Sequence, residues 1–336
     1  MTQSRIDDMA FAFWQSGTLI AAIELGLFTA ISEGFNKPTE IAERIKVPLD
    51  SIDRLMSACT GLKLIERKDE KYINTPDVEM FLVAGKPSYR GDYYAIQAKN
   101  DYEGWNNIAP ALRQPVSVNK KQKKGYGKNA EDPQFARDYT VAGFKGAWAG
   151  AQEFAAKNDF SQYSLFLDLG GGSGAYSIAA VQKHPHLKAI VFDYPDVVVV
   201  AQEYINKAGV SDRVKTVAGD FFDTEFPRGA DLAAYIAPLQ VYGPDDVRFL
   251  VNKAFNTIEP GGGLIIIDYM INADKSGPAE SLFRHLQQRT NPNESPGYIN
   301  TETEFREYLM TAGFTDIVVI DLRDGPMGFV FGKKPK

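Results

Sequence analysis

The chain has 336 residues, 44% hydrophobic and 24% charged, with a formal net charge of −6. That length buries a large core and predicts two domains, and the acidic balance argues against a surface that coats nucleic acid. A single cysteine, Cys59, excludes an intrachain disulfide framework, three histidines argue against a Cys/His zinc site, and no apolar run reaches bilayer length, so a metal-free cytoplasmic protein is expected.

Residues 9–35 carry Leu19, Ile20, Ile23, Leu27, Ala30 and Ile31 at helical spacing, with a break predicted near Gly26. Pro38 then opens a short helix, TEIAERI, with Thr39 as the expected N-cap. LDSIDRLMSACTGLKLI predicts a second helix, and Ile65–Ile73 predicts two short strands about a charged turn. Helix, turn, helix, hairpin is a winged-helix pattern. Its second helix sets Arg54 and Lys63 against Asp50 and Asp53, a poor footprint for DNA, so an oligomerisation module with no nucleic-acid partner is the reading. Residues 76–165 read as mostly helical. The basic run VNKKQKKGYGKNAEDP at 118–133 reads as a solvated loop, with a lid or an acidic-ligand contact as the alternative. Next comes an aromatic helix in which Tyr139, Phe144 and Trp148 recur at helical spacing. Such a stripe serves packing in most proteins, but its place beside the following glycine strand makes these three substrate-binding candidates.

From Leu165 strands and helices alternate. LFLDLGGGSGAYS reads as a buried strand, a glycine turn and a helix, the arrangement that lets a ligand approach bare backbone at a helix N-terminus. Strands follow at 189–192, 214–218 and 232–236, then LIIID after a Pro-Gly turn, and finally DIVVIDL and MGFVFGK. Alternation predicts an α/β fold, a parallel sheet with helices on both faces. The connection Arg323–Pro326 is too short for a crossover, so the last two strands must be antiparallel. The expected domains are 1–100, a helical dimerisation module; 101–160, a helical linker with substrate-lining helices; and 161–336, a catalytic domain.

Asp168, Asp193 and Asp220 stand at or just after the ends of successive strands, where open α/β sheets bind ligands. Asp193 lies 25 residues after Asp168, placed to accept from both hydroxyls of a ribose. Asp220 can accept from an exocyclic amine, with Phe221 offering an apolar face to the ring. Gly170, Gly172 and Ala175 also fit the dinucleotide pattern G-x-G-x-x-G/A, so on these residues a nicotinamide or flavin stays open beside other nucleosides.

LDLGGGSG, VFDYPDVV, VAGDFFD and PGGGLIIID, in that order, resemble the motifs of class I S-adenosylmethionine-dependent methyltransferases. With the winged-helix half they resemble the O-methyltransferase family of caffeate, acetylserotonin and bacterial antibiotic or pigment methylases. The resemblance covers nearly the whole chain. It implies a seven-stranded Rossmann-like domain and a homodimer formed through the N-terminal module. It further implies S-adenosylmethionine held by Asp168, Gly170, Gly172 and Gly174 at the methionine end, Asp193 at the ribose, and Asp220 with Phe221 at the adenine.

One departure stands out. Where O-methylating members carry Leu-His-Asp-Trp, with the histidine as base, this chain reads Pro238-Leu239-Gln240-Val241-Tyr242. An amide orients a substrate by hydrogen bonds but has no useful basicity. The family's first supporting acid persists as Asp268, and the second is replaced by Ile299. A site without a base suits an acceptor that needs no deprotonation, such as a thioether sulfur. The family has such a branch, acting on 4-methylthio-2-hydroxybutyrate on the route to dimethylsulfoniopropionate. A carboxylate on the acceptor would call for Arg284 or Arg289. His285 is the alternative, a displaced base that would restore O-methylation, with Tyr242 and Tyr298 as weaker candidates and a carbon acceptor also open. A regulator that binds cofactor without turnover is the non-enzymatic alternative.

Overall fold

The computed structural model describes residues 3–86, 88–115, 131–290, 297–320 and 327–336. The basic run at 118–130 and the closing turn at 323–326 lie outside the described residues. The chain divides into two compact units, Met1–Asp101 and Tyr102–Lys336.

The first unit is helical with one hairpin. Helices Ala12–Glu24 and Leu27–Ser32 are separated at Gly26, whose φ of 73° makes the expected break. The next helix, Pro38–Ile45, begins one residue before the expected cap. Pro38 has no N–H to satisfy and is preformed for a first turn, so Lys37 takes the N-cap position rather than Thr39. The Glu40 carboxylate accepts from the backbone N–H of Asn36 and Lys37, both at 3.3 Å. Helix Leu49–Gly61 precedes β1 (Ile65–Lys68) and β2 (Lys71–Asn74), an antiparallel pair turning at Asp69, φ 57°. Leu27, Phe28, Ile41, Ile52, Met56, Cys59 and Ile65 form its buried core. Burial pushes the Cys59 thiol up to about 12. Helices Gln3–Ala10 and Ala12–Glu24 leave Ile6, Met9, Phe13 and Trp14 exposed.

The second unit is built on a seven-stranded sheet. In chain order the strands are β3 (Leu165–Leu169), β4 (Lys188–Asp193), β5 (Val214–Ala218), β6 (Leu232–Ile236), β7 (Gly263–Tyr269), β8 (Thr315–Ile320) and β9 (Met327–Lys333). Their order across the sheet is β5-β4-β3-β6-β7-β9-β8. The first five run parallel, and β9 lies antiparallel to both β7 and β8. The chain therefore reverses its direction of growth between β3 and β6, the switch point at which open α/β sheets form a crevice. Two buried layers cover the sheet. One centres on Phe192, Tyr235, Leu250, Ile266 and Phe305, the other on Phe154, Phe160, Phe166, Ile178 and Val191.

Phe166 is fully buried, its ring 6.0 Å from that of Phe154 and 6.2 Å from that of Phe160. Phe166→Ala is expected to destabilise the second unit by about 3–5 kcal/mol, measured by urea denaturation followed by circular dichroism.

Candidate active site

The site begins where β3 ends. Gly170, Gly172 and Gly174 have φ of 71°, 55° and 75°, left-handed values that side chains rarely adopt. A Cβ on Gly170 would stand 3.0 Å from both the Phe221 ring and the Pro238 side chain, so the close packing of three loops depends on its absence. Beneath the turn, Asp168 is buried and accepts from Ser177 Oγ at 2.8 Å. Burial pushes its carboxyl up to about 7.

The register carries the turn to its neighbours. Asp168 pairs with Val191 and Asp193 with Ala218, so the ends of β3, β4 and β5 share one edge. Asp193 Oδ2 accepts from Gly172 N–H at 2.8 Å and Oδ1 from Tyr194 N–H at 2.7 Å. Burial pushes Asp193 up to about 6, against those two donors, which favour its ionised form. Asp220 Oδ1 accepts from Phe222 N–H at 2.7 Å. The Phe221 ring packs among Phe192, Phe226, Tyr235 and Tyr242. Lys253, from helix Pro244–Thr257, donates to the carbonyls of Phe221 and Thr224, both at 2.7 Å, and so clamps this loop. In the sequence Lys253 carries no signal of this contact, because nothing in its helical context marks where its amine points.

On the other side of the switch point, β6 leads into Ala237, φ 63°, and a short 3₁₀ turn Leu239–Val241. Asp268, at the end of β7, is fully buried and holds that turn. Its Oδ2 accepts from Leu239 N–H and its Oδ1 from Tyr269 N–H, each at 2.8 Å. Burial pushes Asp268 up to about 7. The Gln240 side chain is buried and donates to the Ala237 carbonyl at 3.3 Å. Tyr242 is buried, and burial holds its phenol well above the ordinary range.

Helix Ala279–Gln287 supplies the remaining groups. His285 Nδ1 accepts from the Ile299 backbone N–H at 3.3 Å, and its ring meets Tyr298 edge-on at 4.9 Å. Burial and Lys275 pull the imidazole below its ordinary range, with Glu304 opposing. Tyr298 donates its hydroxyl to Glu304 Oε1 at 3.2 Å. The Arg284 guanidinium lies 3.9 Å from the centroid of the Tyr269 ring, pairs with Glu280 at 3.0 Å, and acts electrostatically on Asp268. Arg289 is tied elsewhere, donating to the carbonyls of Ala111 at 3.3 Å and Gln114 at 2.7 Å.

Of the aromatic stripe, Phe144 stacks on Tyr204 at 3.9 Å and on Trp148 at 5.3 Å, packing helix Pro133–Lys157 against helix Pro195–Lys207. Tyr139 stacks on Phe135 within the first helix. Among the described residues no group of three or more His, Cys, Asp or Glu side chains could hold a metal ion.

Residues 110–315 match the family model of the O-methyltransferase domain, and residues 8–84 that of the O-methyltransferase dimerisation domain. The chain belongs to the O-methyltransferase family. Relatives include the 3-hydroxy-5-methyl-1-naphthoate 3-O-methyltransferase of Streptomyces sahachiroi, 30% identical over 98% of this chain and 94% of the relative. Another is the tetracenomycin polyketide synthesis 8-O-methyl transferase of Streptomyces glaucescens, 31% identical over 98% and 96%. In fold the chain is similar to human N-acetylserotonin methyltransferase, solved in complex with S-adenosylmethionine, at a TM-score of 0.88 and 23% identity over 100% of this chain and 99% of that one.

S-adenosylmethionine is the cofactor of this family, and the donor set of this member fits it. A carboxylate accepts about four hydrogen bonds. Asp193 receives two backbone donors, which leaves capacity for the two hydroxyls of a ribose. A ligand diol that donates to Asp193 favours its ionised form. Affinity for S-adenosylhomocysteine is therefore expected to weaken as pH falls through about 6. The loss should approach about tenfold per pH unit below that point. Calorimetric titration between about pH 5 and about pH 7.5 reads it, and a flat affinity would remove Asp193 from the ligand site.

Proposed function

We propose that this protein is a homodimeric cytoplasmic methyltransferase that transfers the methyl group of S-adenosylmethionine to a thioether sulfur on a small carboxylate-bearing acceptor, such as 4-methylthio-2-hydroxybutyrate. Bound S-adenosylmethionine supplies an electrophilic methyl group. Asp193 would hold its ribose, Asp220 and Phe221 its adenine, and the turn Gly170–Gly174 with the Asp168 floor its methionine part. The exposed apolar side chains Ile6, Met9, Phe13 and Trp14, within or beside the dimerisation match at 8–84, support pairing of two chains.

The observation that carries the acceptor class is the state of His285. A neutral imidazole has one lone pair, and here Nδ1 uses it to accept from Ile299 N–H. Nε2 then carries the proton and has nothing with which to take another. Gln240 stands in the turn after β6 with an amide, burial holds the Tyr242 phenol well above its ordinary range, and Asp268 is fully buried, with both oxygens facing backbone donors of the loop it holds. What these residues can do is orient and align an acceptor whose own lone pair attacks. A thioether meets that demand. Arg284, beside Asp268 and stacked on Tyr269, supplies the cation for its carboxylate.

A hydroxyl acceptor is the second reading, favoured by the O-methyl transfers named for the relatives. Turnover of a panel of thioethers, phenols and naphthoates with labelled cofactor separates the two. Under the first reading His285→Ala retains kcat on the thioether within about threefold at saturating cofactor, since no proton passes through the ring. A kcat–pH limb that His285→Ala abolishes would overturn it. Arg284→Met is expected to raise KM for a carboxylate-bearing thioether by about 10–100-fold, with a smaller effect on its amide.

A further inference from the structure

Lys253 belongs to no strand end and to no glycine turn, yet its amine meets the loop that carries Asp220 and Phe221. It projects from helix Pro244–Thr257, which Val247, Leu250, Val251 and Ala254 bury against the sheet, so its stem starts from a fixed base. The ammonium donates to the carbonyls of Phe221 and Thr224, both at 2.7 Å, and lies 4.4 Å from the centroid of the buried Phe226 ring. A lysine ammonium has three donors and no acceptor. Two carbonyls and an aromatic face, all within residues 221–226, occupy it.

The loop uses its own N–H groups internally. Asp220 N–H donates to Thr224 Oγ1 at 3.1 Å, Phe222 N–H to Asp220 Oδ1 at 2.7 Å, and Thr224 N–H to the Asp220 carbonyl at 3.0 Å. That turn leaves the Phe221 and Thr224 carbonyls on one side, as in the last turn of a helix, where a basic side chain is a suitable partner. The same loop is continuous with the rest of the site. Gly219 N–H donates to the Asp193 carbonyl at 2.9 Å, and the Phe221 ring fills the space that a Cβ on Gly170 would enter at 3.0 Å. We propose that Lys253 is a positioning residue for the nucleoside site, its ammonium holding the Phe221 and Thr224 carbonyls so that Asp220 and Phe221 are set to meet the adenine. This role rests on the adenine assignment proposed above. Without the amine both carbonyls turn to water, and ligand binding must order the loop as well, which weakens it. The coupling is reciprocal, so bound ligand must also hold the amine on its carbonyls.

Calorimetric titration with S-adenosylhomocysteine reads the first effect without turnover. Lys253→Met is expected to raise its Kd about tenfold, with the far-ultraviolet circular dichroism spectrum unchanged. In an Asp220→Asn protein, itself weakened, the same substitution should cost about threefold or less, because the contact that Lys253 positions is already impaired. Acetylation by acetic anhydride, followed by mass spectrometry, reads the second effect. Saturating S-adenosylhomocysteine should slow modification of Lys253 about tenfold relative to the exposed Lys207. A Kd for Lys253→Met within about twofold of the unmodified protein's overturns the positioning role. So does a loss that persists undiminished in Asp220→Asn, which would make Lys253 a support of the fold at large. An acetylation rate indifferent to the ligand overturns it as well, and decides alone should Lys253→Met fail to fold. These outcomes leave the adenine assignment standing. An Asp220→Asn protein that binds as tightly as the unmodified one overturns that assignment and the positioning role with it.

Discussion

The hydrogen bond from Gly172 N–H to Asp193 Oδ2, 2.8 Å long, joins two loops that are distant in sequence and determines much around it. It exists because β3 and β4 run parallel in register and end at the same edge, and because the glycine turn can present a backbone N–H at positive φ. Once that bond is made, the glycine turn cannot swing away from the sheet. Tyr194 N–H completes Asp193, and Lys253 closes the neighbouring Phe221–Thr224 loop from behind. Burial alone would favour neutral carboxyls here. The donors work against that tendency and keep Asp193 close to a charged, ligand-ready form.

Across the switch point, backbone donors govern as well, to a different end. Asp268 is surrounded by N–H groups from its own strand end and from the turn bearing Gln240. It shapes a loop. This side of the switch point therefore combines rigid backbone with side chains that already have hydrogen-bond partners: Gln240 on Ala237, Tyr298 on Glu304, His285 on Ile299. Such a surface is suited to holding a molecule in line with a reactive group, and poorly suited to exchanging protons with it.

Most of the second unit could be read from the sequence, because its strands are short apolar runs ended by Asp, Gly or Pro and its parallel topology follows from alternation. The strand-end acids and the glycine turn were legible for the same reason: chain direction alone brings them to one edge. Side-chain partners were a different matter. Phe144 and Trp148 share a helical stripe, but only the placement of Tyr204 on another helix shows that they stack there. Arg289 and Arg284 are five residues apart on paper, yet one meets carbonyls near 111–114 and the other an aromatic face at Tyr269. In the first unit Thr39 looked like a cap by composition, whereas the missing N–H of Pro38 moved the start of the helix.

The buried thiol of the first unit has a practical meaning. Cys59 is the chain's single cysteine, and its environment suppresses the thiolate through which alkylating reagents react. While the helical unit stays closed the protein is therefore chemically silent toward such reagents. Any labelling that does occur marks molecules in which the core around Ile52 and Met56 has opened. The molecule thus contains a native clock for the breathing of one unit.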